Sequence, residues 1–225
     1  QCDWSSDVCS SDLVDLAPGD VRALTALGTA LAETGNTAEG IAILERAVDI
    51  APAVWQTRAS LGTVHLAVGN FLKGWQGYFY RAGRTAFPKK FPGISIASGL
   101  PEDLTGTTIN LLNEQGLGDQ LFLLRWLPSI KARGANVAYK PDAKLASILA
   151  RSLLVDELVP ETGNLPVADF NVMLGDLPYF SCFDDQGKPL PETTSALVPA
   201  SLQLSPRAGE LAVMRERLRQ IGPPP

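Results

Sequence analysis

Thr107-Thr108-Ile109-Asn110-Leu111-Leu112-Asn113-Glu114-Gln115-Gly116-Leu117-Gly118-Asp119-Gln120 decides how this chain is read. The first six residues are β-branched or apolar, which predicts a buried strand over 107–112. Gly116 and Gly118 then punctuate the chain where it must turn. From Gln120 to Ala132 the apolar residues fall at helical spacing, with Leu121, Leu124, Leu127 and Ile130 facing inward. Pro128 is tolerated near the last turns, and Gly134 closes the helix. Strand, glycine turn and helix in that order begin a β-α-β unit.

The pattern continues downstream. Asn136–Tyr139 reads as a second strand and Ala143–Leu153 as a second helix. Asp156–Val159 and Phe170–Leu174 read as third and fourth strands. Alternation at this spacing predicts a parallel sheet with crossover helices, a Rossmann-like α/β domain. A last helix is expected over Ser205–Ile221, with Ser205 as N-cap, Pro206 in the first turn, and Leu211, Met214, Leu218 and Ile221 on one face. Upstream, Pro88, Pro92, Gly93, Gly99 and Pro101 break helices, so 87–106 reads as a linker.

Before the linker the chain repeats itself. Ala17-Pro18 recurs as Ala51-Pro52, Leu27-Gly28 as Leu61-Gly62, Gly35-Asn36 as Gly69-Asn70, Gly40 as Gly74, and Val14-Asp15 as Val48-Asp49, always 34 residues on. Within one copy, Leu24, Leu27, Ala30 and Leu31 make an apolar stripe over Val21–Thr34, and Gly35 ends it. Ile41, Leu44, Ala47 and Val48 make a second stripe over Glu39–Ile50, stopped by Pro52. The second copy runs Val54–Val68 and then Phe71 to about Arg81, with Trp75, Tyr78 and Phe79 enlarging its core. Helix hairpins at this period resemble tetratricopeptide repeats, through Leu27-Gly28, Gly35-Asn36, Ala47 and Pro52. About two copies and the tail of a third, 14–18, are present. Arrays of this kind usually need three or more units, so the reading expects the array to be cut on its N-terminal side.

The string from Leu111 through Gln120, then Phe122 to Pro128 and Lys131 to Ala135, resembles a family of bacterial proteins. In these a tetratricopeptide array precedes a glycosyltransferase-like module of the GT-B type. That module is similar to lipopolysaccharide heptosyltransferases and, more distantly, to repeat-bearing O-linked N-acetylglucosamine transferases. Leu165-Pro166, Asp169-Phe170 and Asp176-Leu177-Pro178 also look like this family's N-terminal half. The resemblance implies an α-helical solenoid over 14–86, the linker over 87–106, the N-terminal half of a GT-B fold over 107–200, and a terminal helix over 201–225 leading to a C-terminal half that is missing. Such an enzyme transfers sugar from a nucleotide-sugar to a protein or polysaccharide, with inversion and without metal. The part present is expected to be inactive alone, because the resemblance puts donor recognition in the other half.

The resemblance carries the general-base role onto Asp119. Asp is also a preferred N-cap, and the predicted helix begins beside it, so the same carboxylate reads as a cap. Gly116, Leu117 and Gly118 are the candidate anion-facing backbone, or equally a tight turn packing helix on strand. Glu114 and Gln115 could bond acceptor hydroxyls or satisfy loop amides. The turn is neither a dinucleotide fingerprint, lacking the third glycine, nor a P-loop, lacking Lys-Ser/Thr. Arg125 reads as a surface group, Asp184-Asp185 as a turn, and Cys182 as a small buried hydrophobe. His65, the sole histidine, reads as half-buried and structural. No metal and no cofactor beyond the nucleotide-sugar substrate are expected.

Composition narrows the alternatives. The 225 residues are 45% hydrophobic and 19% charged, ordinary for a globular chain. Net charge is −5, unlike the basic face of a nucleic-acid module. No apolar run reaches the ~18 residues of a membrane span. Residues 1–13, QCDWSSDVCSSDL, lack the basic start and apolar core of a signal peptide. Cys2–Leu13 resembles a translated sequencing-library adapter, expected to be an artefactual, disordered tail. Setting it aside leaves 21 acids against 19 bases and only Cys182, which suits a reducing, cytoplasmic setting. The expected partners are a protein or peptide on the concave repeat face and a nucleotide-sugar in the full-length protein. A peptide-binding scaffold with a non-catalytic transferase-like domain, and an unrelated phosphate or dinucleotide binder, are the competing readings.

Overall fold

The computed structural model describes residues 18–152, 154–160, 162–191, 197–207 and 209–221, so the tail over 1–13, most of the third repeat tail and Leu153 lie outside the described residues. The chain forms two units, the first made of residues up to Glu102 together with Gly175–Pro199, the second of Asp103–Leu174 and Ala200 onward.

The first unit is helical. Helix α1, Val21–Glu33, starts at Asp20, whose carboxylate accepts from the amides of Arg22 (2.8 Å) and Ala23 (3.1 Å), a side-chain cap for otherwise orphaned donors. Gly35, at φ +98°, turns the chain into α2, Thr37–Ile50. Helices α3, Trp55–Ala67, and α4, Phe71–Tyr78, repeat the arrangement. Glycine pairs set how closely the partners pack. A Cβ on Gly40 would stand 2.5 Å from the Gly28 carbonyl oxygen, and one on Gly77 would stand 2.5 Å from the Gly62 Cα. Leu24, Leu44 and Ala47 are wholly buried, the two leucines contributing about 1.5–3 kcal/mol each. The hydroxyls of Thr25 and Thr57, 2.8 Å apart, join α1 to α3.

The expected linker begins later than its prolines suggest. Ala82–Lys90 is a further helix, α5, with Pro88 inside it and Phe87 buried. Pro88 lies in the last turn, where a missing amide costs a single bond, so it does not prevent the helix.

The first unit also takes in Gly175–Pro199, residues that the family resemblance places in the α/β domain over 107–200. Asp176, wholly buried, accepts from Arg81 Nη1 at 2.7 Å and from Arg84 Nη1. Phe79 stacks on Tyr179 (4.0 Å between centroids, 21°), and Tyr179 on Phe183 (4.7 Å, 22°). Buried charge pairing and aromatic stacking thus hold α9, Leu177–Cys182, to the helical unit. Neither is visible in periodicity.

The second unit is a four-stranded parallel sheet. Strands β1 (Thr108–Leu112), β2 (Asn136–Tyr139), β3 (Glu157–Leu158) and β4 (Phe170–Met173) lie in the order β3-β2-β1-β4. Ile109 pairs with Val137 on one side and Phe170 on the other. Between β1 and β2 the single expected helix is three pieces: α6 (Leu117–Leu123), a 3-10 turn (Leu124–Trp126) and α7 (Leu127–Ala132). Pro128 in the first turn of α7 explains the break, since it donates no amide to the preceding turn. The inward stripe is Gln120, Leu123, Leu124, Leu127 and Ile130; Leu121 is only half-buried, and a polar residue takes the place expected of it. Helix α8 spans Ala143–Leu149, capped by Asp142 on the Lys144 amide at 2.9 Å. The last helix, α10, runs Glu210–Ile221. It starts later than expected, and Ser205 and Pro206 lie ahead of it in chain without regular secondary structure.

Candidate functional site

β1 ends at Leu112, and the sheet order reverses beside it: the chain moves outward through β2 to β3, then returns past β1 to β4. Open parallel sheets bind ligands in the crevice outside the carboxyl ends of strands at such a reversal. The residues leaving β1 there are Asn113 to Asp119. Asn113 Oδ1 accepts the Gln115 amide at 3.2 Å, turning the chain towards α6.

Gly116 is the N-cap of α6, at φ −65° and ψ 167°. That geometry suits any residue. A Cβ on Gly116 would meet only the Asp119 carboxylate, at 3.4 Å, and one on Gly118 would meet nothing within 4 Å. The fold itself therefore does not demand glycine at either position; what glycine does here is leave the backbone open. The first intrahelical bond runs from the Gln120 amide to the Gly116 carbonyl at 2.9 Å, so the Leu117, Gly118 and Asp119 amides precede it. Asp119 is the third helical residue, not the cap, which corrects the N-cap reading. Its exposed carboxylate makes no hydrogen bond or ion pair to the described residues. Glu114, Gln115 and Leu117 are half-buried in the same turn.

A network absent from the sequence reading anchors this turn. Gln120, 1% exposed, donates from Nε2 to the Gln115 carbonyl at 3.0 Å. Its Oε1 accepts the Tyr139 hydroxyl at 2.9 Å and the Asp142 amide at 3.4 Å. One side chain thus ties the exit of β1, the end of β2 and the cap of α8 together. Burial, with Asp142 adding to it, pushes the Tyr139 hydroxyl well above its ordinary range, so it stays a donor. The signal was present as a glutamine on an apolar helical stripe, where a polar residue must be satisfied inside.

The remaining singled-out residues are structural in their surroundings. His65 is 3% exposed, more deeply buried than expected, with Nδ1 3.4 Å from the Asn70 side-chain amide. Burial, then Lys73, lowers its pKa against a smaller opposing effect of Glu45. Arg125 donates from Nε to the Ala200 carbonyl at 3.1 Å and lies over the Phe122 ring. Asp184 accepts the Gln186 and Lys188 amides at 2.9 and 2.8 Å, forming a turn with Asp185. The buried Cys182 thiol is pushed up to about 12 by desolvation, which makes it inert. Among the described residues no cluster of His, Cys, Asp or Glu could hold a metal ion, and no helix is long and apolar enough to cross a membrane.

The helical unit carries clefts of its own. One of about 770 Å³ runs along α1 to the start of α3, past Thr25, Thr29 and Gln56. Another of about 600 Å³ continues from Thr29 and Glu33 along α3 past Ser60 and Thr63. The two share Thr29, Glu33 and Gln56 and so adjoin, with walls that mix small and hydroxyl-bearing residues with Trp55, Tyr78, Arg22 and Arg81.

No protein-family model and no curated protein matches the chain. Among solved structures it is similar to a variant of the Thermobaculum terrenum O-GlcNAc transferase, with 16% identity over 68% of this chain and a TM-score of 0.34. The match spans 36% of that longer chain, a likeness too slight to transfer a fold or a chemistry.

Proposed function

We propose that the chain belongs to a glycosyltransferase of the GT-B type, its helices a tetratricopeptide-repeat arm and its sheet the lobe that seats the acceptor. The observation that supports this most is the position of the Glu114–Asp119 turn: it leaves the carboxyl end of β1, the strand beside which the sheet order reverses. The resemblance of that turn to the heptosyltransferase Gly-Asp turn supplies the chemistry. Asp119 takes the proton of the acceptor hydroxyl as its oxygen attacks the anomeric carbon and the nucleoside diphosphate departs. Its carboxylate is exposed and uncommitted, as a base requires. Glu114 and Gln115 orient acceptor hydroxyls, and the Gly116–Gly118 backbone faces an anionic group. A GT-B enzyme holds its donor mainly in a second lobe of this kind, and donor recognition is assigned to such a lobe rather than to these residues. Transfer is proposed to invert, to need no metal and to take place in the cytoplasm.

The test is nucleotide-sugar binding and transfer by the protein in its whole genomic reading frame. Asp119→Asn should lower kcat about hundredfold or more while donor affinity holds. If the whole reading frame binds no nucleotide-sugar, the reading fails. The groove along α1 and α3 favours a second reading, a scaffold that takes an extended peptide. Under it, peptide capture would survive Asp119→Asn unchanged and no transfer would be found.

A further inference from the structure

A separate cavity of about 340 Å³ opens between the two helix pairs, within the size range of small-molecule sites. Helix α2 lines it with Glu45 and Val48, α3 with Arg58, Leu61 and His65, and α4 with Lys73. Lys73 and Glu45 are 65% and 47% exposed and 3.4 Å apart, a loose pair open to water. Arg58 is different. Its guanidinium lies over the Tyr80 ring at 4.7 Å and gives one hydrogen bond, Nη1 to the Tyr80 hydroxyl at 2.7 Å. Its Nε is buried without an acceptor, and no carboxylate among the described residues lies within ion-pair distance of it. The buried arginines of the same unit, Arg81 and Arg84, are neutralised by Asp176. A partly desolvated cation is costly unless paired, and Arg58, with no carboxylate partner among the described residues, is open to an outside one.

From this cavity we infer a binding site for a small organic monocarboxylate, with its anion on Arg58 and Lys73 and its apolar body against Val48 and Leu61. Guanidinium and carboxylate match in shape and charge. With His65 neutral, the lining of Arg58, Lys73 and Glu45 carries one net positive charge, which a monoanion balances and a dianion exceeds. The site is independent of the β1 turn and of the transferase reading.

The test titrates the full chain with benzoate, neutral benzamide and dianionic phenyl phosphate, followed by ligand-observed NMR and calorimetry. Benzoate should bind saturably, with benzamide and phenyl phosphate about tenfold weaker or more. Arg58→Gln should weaken benzoate about tenfold or more, as loss of a charge-assisted bond does. Should that variant fail to fold, Lys73→Gln at the exposed rim still reads the site and should weaken benzoate several-fold. Failure of benzoate to bind, benzamide binding equally well, a preference for phenyl phosphate, or unchanged affinity in a folded variant would each overturn the inference.

Discussion

Replacing Asp176 with Asn probes the step by which tertiary structure overrules the chain's apparent domain order. The Asp176 side chain is wholly buried, and the arginine side chains it pairs with, Arg81 and Arg84, are only 8% and 12% exposed. Asn keeps the shape and removes the charge, so two nearly dry guanidiniums face each other across a neutral group. Breaking a buried pair by neutralising one partner costs about 3–5 kcal/mol. Against a typical domain stability of about 5–15 kcal/mol, that is at least about a fifth of the total. Aromatic stacking of Phe79 on Tyr179 would still hold α9, so the expected outcome is local weakening before global loss. Amide hydrogen exchange over Leu177–Cys182 should accelerate in Asp176→Asn, and urea should unfold the helical signal at a lower midpoint. The triple replacement Arg81→Met, Arg84→Met, Asp176→Leu should recover most of the loss, because apolar residues of similar volume avoid the desolvation cost. A change below about 1 kcal/mol in Asp176→Asn, with exchange over α9 unaltered, would mean that the buried pair does not hold α9, since it would place the carboxylate among inexpensive surface pairs.

Three further outcomes follow from the geometry. Gly62→Ala puts a Cβ 2.6 Å from the backbone of Gly77, which cannot yield as a side chain would, so thermal melting should fall by an amount matching about 1–3 kcal/mol of overpacking; Gly118→Ala, facing open space, should change stability by no more than about 1 kcal/mol, towards greater stability. Because burial holds the His65 pKa below 6.5, the folded state resists its protonation, and this contribution to stability is present above pH 6.5 and lost as pH falls from there towards the folded value; urea midpoints across that window should slope in the native chain and flatten in His65→Phe. Gln120→Leu leaves the buried Tyr139 hydroxyl without its 2.9 Å acceptor and should cost about 1–3 kcal/mol in denaturant titrations, with Tyr139→Phe added to it restoring most of the loss.

Local chemistry made much of the architecture readable. The apolar stripe of α1 and the turn at Gly35 depend on residues within a few positions of one another, and so do the β-branched run of β1 and the glycines that follow it. Pro88 misled because a proline's effect depends on where in the helix it falls: near the end of Ala82–Lys90 it costs one amide bond and leaves the earlier turns intact. Asp119 was legible as a carboxylate at a helix start, but whether it caps depends on which residue takes the N-cap backbone conformation, and Gly116 takes it. Gln120 was legible only as an anomaly on a buried stripe; besides the nearby Gln115 carbonyl, its partners lie 19 and 22 residues away on another strand and loop.

The sequence alone determined the period-34 helical arm, the alternation of strand and helix after it, and the presence of an open glycine turn at the end of the first strand. These are properties of neighbours in the chain, where hydrophobic period and backbone preference act. Tertiary structure alone decided that Gly175–Pro199 falls in the helical unit, that one glutamine ties the turn to β2 and α8, and that Asp176 satisfies two arginines while Arg58 meets no carboxylate among the described residues. Charge neutralisation and hydrogen-bond satisfaction in a dry interior act between groups far apart in sequence, and no local pattern encodes which groups will meet.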